Sequence, residues 1–387
     1  MPRRTLAGAA TGMCLILALA ACSTGAGDTA STADESPGST TSGNVILDRE
    51  VNDTEGPNGE AATPVADLTF TDDEVAELRA GDYKAAMLWH TSSAFVAAVQ
   101  AGAQAEFERL GIDVIATADA KFDAGTQADQ VQTTMVRKPD VILSLPVDPT
   151  TAATAFRAAV DNGTELIFLS NVPEGFTRGE HYTSIVTDDL VEMGRQAAVA
   201  LGDALGGTGE VGIMYYEAEY YVTNQRDAAF KQTLLAEFPD IEIVAEQGFT
   251  DPNTAESIAS AMLTQNPGLD GLYTSWAEPA QGALAALRTA GNTTTKIVTL
   301  DLDDTVAVDM LGGGQTLAIV ADEAWNLGKG MAAAAGYALL GKEAPAFAIT
   351  GVLTVTKENV EQGYRDSLNS DLPPAVADAL SNCEECG

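Results

Sequence analysis

Basic side chains are scarce in this chain of 387 residues: 20 lysines and arginines face 56 aspartates and glutamates, a formal net charge of −36. A field of that sign repels a phosphate backbone, so nucleic acid is not an expected partner. Histidine is scarcer still. His90 and His181 lie far apart, and no H-E-x-x-H run or Cys/His cluster accompanies them, so neither a metal nor any other cofactor is expected. The chain also lacks a G-x-S-x-G elbow and a Walker A sequence, which leaves esterase and NTPase readings without their motifs. Gly206-Gly207-Thr208-Gly209 precedes its strand instead of following one, and Gly312-Gly313-Gly314 fails on the same ground, so both read as turns.

Long apolar runs are missing as well, with one informative exception at the start. Arg3 and Arg4 precede the run from Met13 to Ala21, which falls short of the roughly 20 residues a membrane span needs and reads instead as an export signal over residues 1–21. Leu19-Ala20-Ala21-Cys22 resembles a bacterial lipobox, which implies that Cys22 is lipidated and becomes the first residue of an exported protein anchored to the outer face of the cell membrane. Residues 22–82 then read as the anchor and a flexible acidic tether, because a Ser-, Thr-, Gly- and acid-rich segment buries too little to offset its ordering entropy. Within it Val45-Ile46-Leu47 is apolar but too brief to change that expectation. Of the 4 cysteines, Cys383 and Cys386 remain as a terminal C-x-x-C, suited to a local disulfide in an exported chain.

Beyond Gly81 short β-rich apolar runs alternate with Ala-rich segments of helical period, the pattern of an α/β fold with parallel sheets. Strands are expected at Ala85–Trp89, from Val114, at Val141–Leu145 and Leu166–Leu169, and then near residues 211–215, 241–245, 271–274, 297–300 and 317–320. The intervening helices fall near residues 93–110, 126–138, 150–162, 188–205, 223–237, 254–266 and 278–290. In the first of them Phe95, Val99, Ala103 and Phe107 share a face. Two such sets make two Rossmann-like lobes, and the ligand crevice of an open parallel sheet lies beyond the carboxyl ends of its strands.

Four pieces in order carry a family likeness: Ala101-Gly102-Ala103-Gln104, Asn224-Gln225-Arg226-Asp227, the run from Gln281 to Leu287, and Asp301 at a strand end. With them residues 83–368 resemble the ribose-type sugar-binding proteins that serve ABC importers. The resemblance implies a three-crossing hinge near Thr187, Asp322 and Thr350. It joins an N-terminal lobe of residues 83–187 plus 323–348 to a C-terminal lobe of residues 188–322 plus 349–370, and leaves residues 371–387 as a tail. It places Ser92, Ser93, Phe95 and Asn171 in the pocket from one lobe, Arg226, Phe249, Trp276 and Asp301 from the other, and Asp322 at the last crossing. His90 joins them as a contact candidate. Carboxylates and a guanidinium bonding hydroxyls, with rings stacking on C–H faces, suit a polyhydroxylated ligand.

Bland roles compete at several positions. Asp301 suits a helix cap, Arg226 a pair with Asp227, Trp89 the core, and the Asp303-Asp304 pair a helix dipole. Tyr215, Tyr216, Tyr220 and Tyr221 fit either the cleft mouth or a helix cover. Where ribose binders carry an Asn-rich loop, an Asp-Arg pair and an Asn, this chain has Ser92-Ser93, Ser170-Asn171 and Trp276, which argues for a different pentose, hexose or sugar alcohol. The expected function is thus non-enzymatic: a monomeric lipoprotein that hands a small neutral sugar or polyol to an importer's permease. The competing functions are a sensor serving a membrane kinase or chemoreceptor, and a hydrolase built on Asp301 and Asp322.

Overall fold

Apolar runs of this length bury both faces only as parallel strands covered by helices, and the chain builds that arrangement twice. The computed structural model describes residues 44–387 apart from Glu219, Glu385 and Gly387; the expected export signal, Cys22 and the start of the tether lie outside the described residues. From the N-terminus come β1 (Ala62–Pro64), α1 (Asp72–Ala80), β2 (Lys84–Trp89), α2 (Ala94–Leu110), β3 (Asp113–Asp119) and α3 (Ala124–Met135). The first set continues with β4 (Val141–Ser144), α4 (Pro149–Ala155), α5 (Arg157–Asp161), β5 (Glu165–Leu169) and β6 (Ser184–Asp188). The chain then crosses to α6 (Leu190–Ala204), β7 (Thr208–Tyr216), α7 (Tyr221–Glu237), β8 (Asp240–Phe249), α8 (Ala255–Gln265) and β9 (Gly271–Thr274). After α9 (Ala277–Ala290), β10 (Lys296–Leu300), α10 (Asp304–Leu311) and β11 (Thr316–Asp322) it returns through α11 (Ala324–Leu339) and β12 (Phe347–Thr350). A last crossing leads to β13 (Val352–Val355), α12 (Val360–Leu368) and α13 (Pro374–Ser381).

Strand order is β1-β12-β6-β5-β4-β2-β3 in one sheet and β13-β11-β10-β9-β7-β8 in the other. All the pairings are parallel except that of β13 with β11. The sheets exchange chain after Asp188, after Asp322 and after Thr350, and hydrogen bonds lace the crossings: Asp189 N–H donates to Thr350 O at 3.2 Å, and Thr350 Oγ1 bonds Asp188 Oδ1 at 3.2 Å. Helices start where short polar side chains cap them. Ser93, Asp123, Asp148, Asp189 and Asp303 each accept a backbone N–H in the first turn. On α2, Val99, Ala103 and Phe107 are buried, whereas Phe95 is half-buried. Gly102 of α2 and Gly328 of α11 let the two helices touch backbone to backbone; a Cβ at Gly102 would lie 2.0 Å from Trp325 O.

Three boundaries differ from expectation. From residue 44 onward the segment read as tether belongs to the fold: Ile46 and Leu47 sink into the second-lobe core, β1 pairs with β12, and α1 follows. Composition concealed this because three buried apolar residues, with Val51, need only a preformed surface to dock on, and because Thr71 and Glu74 form a capping box that starts α1. The expected tail is likewise structured: α13 buries Val376 in the second-lobe core, and a disulfide joins Cys383 to Cys386. The helix expected over residues 150–162 is two, α4 and α5, meeting at Phe156, whose buried ring packs edge-on against Phe168 at 5.4 Å.

Candidate ligand site

Strands of both sheets end facing each other, and between them lies a cavity of about 430 Å³ lined by both lobes. The first lobe contributes His90 and Phe95 after β2, Lys121 and Phe122 after β3, and Ser170 after β5. From the second come Tyr216, Tyr220, Arg226, Trp276, Glu278 and Asp301. Ser93 lines the wall too, although its Oγ is committed to Val96 N–H at 3.2 Å as the cap of α2. The lobes meet at the mouth: Tyr220 O–H donates to Pro146 O at 2.9 Å, and Asn171 Oδ1 accepts Val222 N–H at 3.3 Å.

Arg226 and Asp301 form the polar centre, with Nη1 and Oδ1 3.2 Å apart and side chains 6% and 20% exposed. Burial raises the Asp301 carboxyl although Arg226 beside it pulls the other way. Behind them Asp227 is fully buried and accepts Tyr273 O–H at 2.7 Å and Ser275 O–H at 2.8 Å; burial still holds its carboxyl up at about 6. Arg226 therefore pairs with Asp301 on the same lobe's wall, and its neighbour Asp227 anchors the helix to β9. At the hinge Asp188 and Asp322 hydrogen-bond to each other, and burial raises both, Asp188 to about 7. Two carboxyls in such contact hold a proton between them.

Lys121, Phe122, Ser170 and Asp301 have left-handed backbone at φ 55°, 57°, 56° and 63°. Non-glycine residues adopt that region at a cost, and such strain gathers where surrounding structure fixes a binding geometry. The apolar wall is aromatic. Trp276 meets Tyr216 edge-on at 5.4 Å between ring centres and Phe249 at 5.0 Å, and Tyr216 meets Tyr220 at 5.8 Å.

Seven of the residues expected in the pocket lie on its wall: His90, Ser93, Phe95, Arg226, Trp276, Asp301 and Asp322. Three do not. Ser92 is exposed outside the wall because the tight entry into α2 gives the cap position to Ser93. Asn171 is buried and faces a smaller neighbouring pocket, held there by Val222 N–H. Phe249 is buried behind Trp276 and supports that ring. His90 is neutral: burial lowers its imidazole to about 4 despite Asp119. Trp89 is core, and Asp303 caps α10 through Thr305 and Val306 N–H while lining the cavity. Sequence reasoning missed Asp188, whose signal was an acidic end to the short run Ile185-Val186-Thr187, and Glu278, which only its place two residues after Trp276 could have suggested.

Residues 85–343 match the model described as the periplasmic binding protein domain. A curated relative, the xylitol-binding protein of Mycolicibacterium smegmatis, is 26% identical over 184 residues, 47% of this chain and 51% of the relative, so the match spans about half of that protein. The ribose import binding protein of Escherichia coli is 23% identical over 240 residues, 62% of this chain and 79% of its own length. Among solved structures, an ABC transporter solute-binding protein of Agrobacterium vitis bound with α-D-tagatopyranose is 27% identical, with a TM-score of 0.66 over 77% of this chain and 99% of the other.

Proposed function

Because the chain belongs to the periplasmic binding protein family, we propose that it captures a small sugar or sugar alcohol between its lobes and delivers it to the permease of an ABC importer, without chemistry on the ligand. The observation that carries this reading is the Arg226–Asp301 pair set in a two-lobed cavity against Trp276 and Tyr216. A guanidinium donates to hydroxyl oxygens, a carboxylate accepts hydroxyl protons, and rings cover the C–H faces between them. The names of the relatives, which speak of xylitol, ribose and tagatopyranose, support the same ligand class. In this reading the protein is exported, tethered by a lipid on Cys22, and works as a monomer with no nucleic-acid partner.

Calorimetric titration of the purified chain with pentoses, hexoses and polyols tests the proposal. At least one member binds, and Arg226→Met or Asp301→Asn weakens it by about tenfold or more, since a hydrogen bond to a charged group contributes about 1.5–3 kcal/mol. A folded chain that binds no member of the panel overturns the reading.

A further inference from the structure

The cavity holds more negative charge than a neutral polyol requires. Six carboxylates line it, Asp188, Asp251, Glu278, Asp301, Asp303 and Asp322, against two cations, Arg226 and Lys121. Asp301 is neutralised by Arg226, and Asp188 and Asp322 hold a proton between them. The other three have no cationic partner among the described residues. Asp251 and Asp303 use Oδ1 to cap helix starts, with Asn253 N–H at 2.9 Å and Thr305 N–H at 2.8 Å, which leaves Oδ2 available on each. Glu278 forms no ion pair among the described residues, and the neutral His90 supplies no positive charge. Lys121, exposed on the opposite lobe, is the one remaining cation on the wall.

Glu278 and Trp276 project from the start of α9 onto the same wall, where the indole edge is braced by Tyr216 and Phe249. Carboxylates beside electron-rich rings attract a cation by Coulomb and quadrupole terms together. Arg226 adds an independent requirement. It is 5% exposed and its Nε–H finds no acceptor among the described residues, so the ligand also brings an oxygen.

We propose that the ligand carries an ammonium group, as an amino sugar or aminated polyol does, with its hydroxyls at Arg226 and Asp301 and its ammonium at Glu278 and Trp276. This rests on the sugar or polyol reading of the cleft and narrows it. Burial, with Asp301 and Asp303 nearby, pushes the Glu278 carboxyl up to about 7, although the first turn of α9 favours the anion; a bound cation relieves that burden.

Matched pairs decide the matter: glucose with glucosamine, sorbitol with 1-amino-1-deoxysorbitol, and xylitol with 1-amino-1-deoxyxylitol, each titrated calorimetrically into the full chain at pH 7. At least one ammonium member binds tenfold or more tightly than its neutral partner. N-Acetylation of that ligand, which removes the charge, erases the advantage, and Glu278→Gln brings the affinity ratio of the pair close to one. Neutral members that bind as tightly as their ammonium partners overturn this inference and leave the sugar-binding reading standing. Binding of no member of any pair by a folded chain overturns both. An ammonium preference that survives Glu278→Gln sinks the assignment to that carboxylate.

Discussion

At the scale of single residues the hinge acids carry a burial cost. Asp188 is 2% exposed, and burial lifts its carboxyl from 3.8 to about 7, with Asp322 hydrogen-bonded to it and also raised. An acid whose folded pKa lies above its unfolded one binds more protons folded than unfolded between those values, so stability falls as pH rises from about 4 to about 7. Asp227, held at about 6, adds to the same slope. Asp322→Asn retains a hydrogen-bonding partner for Asp188 while removing the like charge. In ligand-free urea unfolding the variant is expected to be more stable than the parent at pH 8, by about 1–2 kcal/mol, with a shallower loss between pH 4 and 7. Equal stability at pH 8 with an unchanged slope would show that the pair carries no such penalty.

At the scale of elements, close approach between helices decides which substitutions the lobes tolerate. Gly328 meets Gly102's helix so tightly that a Cβ there would lie 1.8 Å from Val99 O, and in the other lobe a Cβ on Gly194 of α6 would lie 2.2 Å from Arg226 O. Backbone cannot yield as a side-chain tip does, so Gly102→Ala is expected to destabilise by about 1–3 kcal/mol through overpacking, read as a lower urea midpoint with unchanged slope. An unaltered midpoint would mean that α2 and α11 can part freely. Gly194→Ala instead displaces the backbone that carries Arg226, and weakened ligand binding is its expected sign. These contacts explain why Ala101-Gly102-Ala103 was a legible piece of the sequence, since glycine there is a packing requirement. The alternation of apolar runs exposed β2, β4, β5, β7 and β9 to β11 for a related reason, because strands buried on both faces are continuously apolar, whereas the edge strands β3 and β8 showed only through short apolar pieces. β6 escaped because its run ends in the polar Thr187 and Asp188 of the first crossing, and β12 and β13 because Thr350 and Gly351 of the last crossing interrupt their apolar run. In the site, Arg226, Trp276 and Asp301 were legible at strand ends and helix starts. The burial of Phe249 behind Trp276 depends on which of two adjacent rings turns inward, and no local pattern records that.

At the scale of the whole molecule, the N-terminal segment makes a fourth link between the lobes beside the three crossings. Its first part is fixed to the second lobe: Lys231 Nζ lies 2.5 Å from Asp48 Oδ1, Gln232 Nε2 donates to Val51 O at 2.7 Å, and Tyr221 O–H donates to Glu55 O. Its end, β1, is an edge strand of the first-lobe sheet. Between these anchors residues 56–60 fold back on themselves, with Gly56 N–H bonded to Glu60 O at 2.8 Å, so the strap holds slack that opening can draw out. Fully extended, a residue spans about 3.3–3.6 Å, so the strap caps the separation of its anchors at roughly 20–25 Å. Binding proteins of two lobes work by hinge closure, and a limit on opening keeps the unliganded form near the closed one. A protease site placed at the exposed Pro57-Asn58-Gly59 tip tests this. Cleavage is expected to enlarge the radius of gyration of the unliganded chain in small-angle scattering and to weaken ligand binding several-fold, while the liganded form keeps its dimensions. Identical scattering and affinity before and after cleavage would show that the segment decorates the lobes without restraining them.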